Sequence, residues 1–97
     1  MPIKQGSFAH KGVEEVFVTG KCRRIGDRYL KRMKLVLDAM NAATCVADLR
    51  SAYGFHILHG DLSGFYAMTI SRNWRLIFRF EHGESGDIVD IDFVDYH

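Results

Sequence analysis

Residues 64–80, GFYAMTISRNWRLIFRF, constrain the fold more than any other stretch. Phe65, Tyr66, Met68 and Ile70 precede the break Ser71-Arg72-Asn73, and Trp74, Leu76, Ile77, Phe78 and Phe80 follow it. Aromatic and β-branched residues in two such runs predict two strands joined by a tight turn. Arg72, Arg75 and Arg79 interrupt this apolar hairpin. Arginine is seldom buried without a partner, so its presence within a strand needs a reason.

The chain before the hairpin reads as helical. Residues 2–9 form a short strand or arm carrying Ile3 and Phe8. From Lys11, the residues Val13, Val16 and Phe17 fall at i, i+3 and i+4, one face of a helix. Glu14 and Glu15 suit the positive end of its dipole, and Gly20 is placed to end it. A second helix opens at Gly26-Asp27, with Asp27 as N-cap. Its buried stripe is Leu30, Met33, Leu37 and Met40, bordered by Tyr29 and Val36, and Asn41 closes it. Thr44 caps a short turn through Leu49.

From Tyr53 onward the pattern is extended. Residues 55–58 form a strand, 59–64 a loop with two glycines, 81–86 a second turn and 87–93 the last strand. This order predicts one α+β domain over residues 1–97, with a helical hairpin packed on a mainly antiparallel sheet.

Strand side chains alternate faces. Trp74, Leu76, Phe78 and Phe80 share the core face, with Val89, Ile91 and Phe93 as their counterparts in the last strand. Arg75, Ile77 and Arg79 then share the other face with Asp90 and Asp92. Two roles fit that charged face: cross-strand ion pairs on a solvated sheet, or a surface that grips a polyanion.

Net charge, +1 over 97 residues, is uninformative, but its distribution is not. Residues 21–34 hold seven cations (Lys21, Arg23, Arg24, Arg28, Lys31, Arg32 and Lys34) against one acid, Asp27. Residues 81–95 hold six acids and no lysine or arginine. A basic segment of this density attracts phosphates, though a solvated helix face has the same composition. The two cysteines, Cys22 and Cys45, form no C-x-x-C pair, which suggests reduced thiols rather than a metal or redox site. No apolar run approaches a membrane span, and the N-terminus lacks the apolar core of a signal peptide, so the expected compartment is the cytoplasm.

The chain ends Asp95-Tyr96-His97. A tyrosine, a histidine and an arginine held near one phosphate suit RNA cleavage without a metal. The arginine would stabilise the pentacovalent charge, and the histidine or tyrosine would move protons. Terminal histidines are also commonly just solvated.

These residues resemble the HigB group of the RelE-like toxins, from bacterial type II toxin–antitoxin pairs. The likeness rests on Gly60-Asp61-x-x-Gly64 followed by Tyr66-x-Met68-x-Ile70, on Asn73-Trp74-Arg75-Leu76-x-Phe78, and on the closing Val94-Asp95-Tyr96-His97. The opening Phe8…Phe17-x-x-Gly20 and the helical pair before the strands extend it over nearly the whole chain. The resemblance implies two helices on a curved, mainly antiparallel sheet. It also implies a ribosome-dependent endoribonuclease that enters the A site of the 30S subunit and cuts translated mRNA by 2′-hydroxyl attack, with no metal or cofactor.

Carried over by position, Arg75 is the phosphate ligand, Asp95, Tyr96 and His97 the catalytic triplet, and His56 a further site histidine. The basic run, with Arg72 and Arg79, would contact RNA. A helix-turn-helix antitoxin of the HigA type would inhibit the toxin, and operator DNA would be bound only through that complex. His59 stands where relatives carry a lysine, and Leu62 where they often carry arginine. Histidine is not a permanent cation at neutral pH, so weaker or more pH-dependent cleavage is expected. Two other readings stay open: the same fold acting on another target, as the gyrase poisons of the ParE type that this resemblance also brings in, and a non-catalytic RNA- or partner-binding protein.

Overall fold

In the computed structural model, which describes residues 2–95, two helices pack on one face of a four-stranded sheet. Helix α1 spans Lys11–Thr19 and α2 spans Asp27–Ala42. Strands β1 (His56–Ile57), β2 (Tyr66–Thr69), β3 (Trp74–Phe80) and β4 (Ile88–Asp95) lie side by side in chain order, each antiparallel to the next. Hairpin connections between neighbours make this order the short-loop solution.

Local chemistry sets the helix ends. The N–H of Val13 donates to Nδ1 of His10, which caps α1 from the preceding residue. Gly20 ends the helix with φ +83°, a conformation that costs glycine nothing. In α2 the N-cap is Gly26, with no side-chain cap, and Asp27 is the first helical residue. Its carboxylate therefore acts on the helix dipole rather than as the expected cap. Asn41 does not close α2 either, because the helix continues to Ala42. The side-chain oxygen of Asn41 instead accepts from Ile3 N–H at 3.1 Å, tying down the N-terminal arm. Thr44 and Asp48 reverse the expected capping: Asp48 Oδ2 accepts from both the N–H (2.8 Å) and the hydroxyl (3.2 Å) of Thr44. These bonds lower the Asp48 pKa.

The buried stripe of α2 is Met33, Val36, Leu37 and Met40, with Leu30 only half-buried. It meets Tyr66, Met68, Leu76, Phe78 and Phe80 of the sheet. The arm is a one-turn coil over Gln5–Ser7 that runs beside β4. Ala9 N–H donates to Ile91 O at 2.8 Å, and Ile88 N–H donates to Pro2 O at 2.9 Å. Lys4 pairs with Asp87 at 2.5 Å, which raises the lysine pKa and lowers that of the carboxylate.

Two expectations about the sheet need correction. Alternation puts Val89 on the core face, which would turn its neighbour Ile88 outward. Instead Ile88 and Ile91 are both fully buried, while Val89 pairs with Arg79. The register shifts between Ile77 and Arg79, so Asp90 and Ile91 together oppose Phe78, and Asp90 takes φ +56°. This β-bulge inserts one residue and resets the alternation. The second correction concerns the face away from the helices. Leu58, Ala67 and Ile77 are buried there, with Leu62, Phe65 and Val94 packed against them. The loop after β1 covers part of this face, so it is a small second core with charged margins and not a fully solvated surface.

Both cysteines are free, and among the described residues no helix is long and apolar enough to cross a membrane.

Candidate active site at the carboxyl end of β4

Arg75 is the second residue of β3. It lies in a row with Thr69 of β2 and Val94 of β4, on the face away from the helices, as alternation predicts. Its guanidinium folds back onto the turn before it. Nη1 donates to the carbonyls of Ser71 (2.6 Å), Trp74 (3.2 Å) and Arg72 (3.3 Å). Three carbonyl acceptors fix the position of a side chain that would otherwise sample many rotamers.

Asp95 is exposed, ends β4 and pairs with Trp74, one position from the Arg75–Val94 pair. Alternation puts Arg75 and Asp95 on opposite faces, but at the same end of the sheet. Tyr96 and His97 lie outside the described residues. His56 is exposed and pairs with Ala67, whose row continues through Ile77 to Asp92, two residues along β3 from the Arg75 row, with the Met68–Leu76–Phe93 row between them. His59 is exposed and precedes the one-turn helix Gly60–Leu62. The N–H of Leu58 donates to Phe65 O, so the chain reaches His59 at the Arg79 end of the sheet. Four strand residues separate that row from the Arg75 row, about 13 Å. The register thus puts Arg75 and Asp95 at one end of the sheet on opposite faces, His56 two strands and two rows from Arg75, and His59 at the far end.

The basic residues divide by what they touch. Arg79 pairs with Asp90 at 2.5 Å on the bulge, which accounts for both charges within the sheet. Arg32 donates from Nε to Thr69 O at 3.0 Å and lies over the Tyr53 ring, so it fastens α2 to β2. Lys21, Arg23 and Lys34 line a groove of about 550 Å³ beside α1 and α2. Arg24, Lys31 and Arg72 are exposed, and Arg28 sits over the Tyr29 ring at 4.8 Å.

Sequence reasoning missed the aromatic brace behind the site. Trp74 stacks on Phe93 with centroids 4.7 Å apart, Tyr29 meets both rings, and His10 meets Phe93 edge-on. The brace joins the starts of both helices to the ends of β3 and β4. Trp74 and Phe93 were assigned to the core face, but pairing them needed the β3–β4 register.

A family model for the RelE-like toxin HigB of type II toxin–antitoxin systems matches residues 6–97. This chain belongs to the HigB-like family of RelE-like toxins. It is 34% identical over 92 residues to the endoribonuclease HigB of Proteus vulgaris, covering 94% of this chain and 97% of that one. Two solved YoeB–YefM complexes from Staphylococcus aureus share its fold, with TM-scores of 0.57 and 0.59 at 16% and 17% identity. Each likeness covers 94% of this chain and 93% of the other. The expected α+β, RelE-like architecture is therefore the observed one.

Proposed function

We propose that this toxin is a ribosome-dependent endoribonuclease that cuts translated mRNA in the A site. The observation that carries the reading is the strand arginine Arg75, held in place by the turn at the end of the sheet where β4 runs out at Asp95 toward Tyr96 and His97. The 34% identity to an endoribonuclease over nearly the whole chain supports it.

In the proposed reaction the 2′-hydroxyl loses its proton to a base and its oxygen attacks the adjacent phosphorus. The P–O5′ bond breaks, and the leaving 5′-oxygen takes a proton. The products are a 2′,3′-cyclic phosphate and a 5′-hydroxyl, and no step calls for a metal. Arg75 neutralises charge on the pentacovalent phosphorane. Tyr96 and His97 are assigned the proton transfers and Asp95 their orientation, with His56, two strands from Arg75, as a further RNA contact. His59 acts on RNA lying along the sheet rather than at the scissile phosphate.

Lys21, Arg23, Arg24, Arg28, Lys31 and Lys34 are assigned to ribosomal RNA. Glutamate at Arg28, Lys31 and Lys34 should weaken 30S binding and flatten its salt dependence. An antitoxin of the HigA type, with a helix-turn-helix, is the proposed inhibitor, and the pair would bind their own operator.

Primer extension on a translated message tests the activity. Wild-type toxin should give codon-spaced cuts, which Arg75→Ala or removal of Tyr96 and His97 abolishes. Growth arrest with an intact message would refute the nuclease reading.

A further inference from the structure

Of the cations in residues 21–34, Arg32 alone is half-buried, and the others are exposed. Its Nε donates to Thr69 O at 3.0 Å, and its guanidinium lies 4.7 Å over the Tyr53 ring. Thr69 is the β2 residue paired with Arg75. We propose that Arg32 is a positioning residue, which fixes Arg75 by way of Thr69 and does not itself contact RNA. The inference rests on reading Arg75 as the phosphate ligand.

Thr69 lies where the sheet runs out of strands. Strand β1 covers β2 only opposite Tyr66 and Ala67. Beside Thr69 the chain turns instead through Tyr53 (φ +47°) and Gly54 (φ +65°), and among the described residues no strand faces it on that side. Both backbone groups of Thr69 point there: its N–H donates to Tyr53 O at 2.8 Å, and its carbonyl accepts from Arg32. Arg32 thus supplies the donor that a neighbouring strand supplies elsewhere. With both groups turned away from β3, Thr69 and Arg75 form a non-hydrogen-bonded pair, the kind whose side chains lie closer together. The fit is tight, since a Cβ on Gly54 would collide with the Thr69 hydroxyl.

Two short routes lead from Thr69 to Arg75. One is the cross-strand pair itself. The other is the turn: Ser71, two residues after Thr69, makes the shortest of the three carbonyl contacts to the guanidinium, 2.6 Å. Releasing Thr69 frees the end of β2, and with it the carbonyls that aim Arg75. A misplacement of about 1 Å, even one caused far from the chemistry, can cost about 10²-fold in rate. An arginine kept for RNA would turn its donors to solvent, whereas Arg32 gives Nε to a backbone carbonyl and one face to Tyr53.

Arg32→Gln separates position from charge. The glutamine Nε2 stands as many bonds from Cα as the arginine Nε, so this variant keeps the donor to Thr69 and loses the cation. Arg32→Lys keeps the cation and puts a methylene where Nε was. Rates are read on message-programmed ribosomes, at a temperature where circular dichroism shows each full-length variant folded. Arg32→Ala and Arg32→Lys should lower kcat about 10–100-fold with KM within about twofold of wild type. Arg32→Gln should keep at least about half of the wild-type kcat, and its 30S binding should keep the wild-type salt dependence. A phosphate contact gives the reverse order, with the lysine variant active, the glutamine variant impaired, and the salt slope reduced by about one.

A double-mutant cycle shows whether the effect passes through Arg75. In an Arg75→Ala background, Arg32→Ala should change kcat by less than about twofold, because the group it positions is gone. A full 10–100-fold loss in that background would overturn the proposal, as would an active lysine variant beside an impaired glutamine variant. Arg75→Ala by itself tests the reading underneath. If it cuts like wild type, that reading fails and the positioning role falls with it. If Arg75→Ala is impaired while Arg32→Ala cuts like wild type, the positioning role alone fails.

Discussion

Deleting Asp90 should leave β4 in register, although losing one residue from a strand ordinarily turns every later side chain to the opposite face. Ile88 faces Phe80 and Val89 faces Arg79, while Asp92 to Asp95 pair one residue out of phase with them. Asp90 is the residue that makes up the difference. Without it Ile88 and Ile91 stand two positions apart, as an unbroken strand requires, and both keep their buried sites. The arm keeps its bonds to the same two residues. Asp90 holds φ +56°, and an L-residue in that region costs about 1–2 kcal/mol, which the deletion removes. It also removes the pair with Arg79. Both side chains are half-exposed, so that loss is about 0–1 kcal/mol. The net change should be within about 1 kcal/mol, a Tm shift of no more than about 4–8 °C for a chain of this size. Deleting Asp92 is the control. Beyond it no bulge absorbs the change, so Phe93 turns away from Trp74 and Asp95 crosses the sheet, at about 2 kcal/mol or more. Urea denaturation followed by circular dichroism measures both variants. If deletion of Asp90 destabilised the toxin as much as deletion of Asp92, the bulge would not be the register device described here.

Arg75→Ala should lower the cleavage rate on programmed ribosomes about 10²–10³-fold with the melting curve little changed, and Arg75→Lys should not restore it, because a lysine cannot reproduce the planar fork. Leu37→Ala, at a site 1% exposed, should cost about 2–5 kcal/mol in urea denaturation. The Asp87 carboxyl is lowered by its hydrogen bond to Lys4, so its stabilisation is present above the ordinary carboxylate range and lost as pH falls through the lowered value. Asp87→Asn should therefore flatten the Tm profile on the acid side, from about pH 4 downward, and leave it parallel to wild type at pH 6–8. His59→Lys should raise cleavage and broaden its profile between about pH 6 and 8.5 by adding a permanent cation; identical rates and profiles would show that His59 does not meet the RNA.

Helix and strand identities were legible because each depends on near neighbours in the chain. Val13, Val16 and Phe17 announce α1 by their spacing, and Gly20 announces its end. The caps were less legible, since Asn41 and Thr44 carry side chains suited to either of two bonds. Only the packed chain shows that Asn41 reaches Ile3, 38 residues away. Of the site, Arg75 was visible as a cation in an apolar strand. The anchoring of its guanidinium by three turn carbonyls was not, because turn geometry decides where those oxygens point.

The sequence by itself determined the order of elements, the apolar stripes and the candidate site residues, because periodicity and residue chemistry are local properties. The tertiary structure alone decided which of those residues meet. Strand pairing brings Arg75 beside Val94, puts Asp95 opposite Trp74 at the same end, and carries the chain to His59 at the other end of the sheet. The bulge at Asp90 puts Ile88 and Ile91 on one face despite their odd spacing. Register is fixed by the summed packing of two strands against the helices, and no single segment carries that sum.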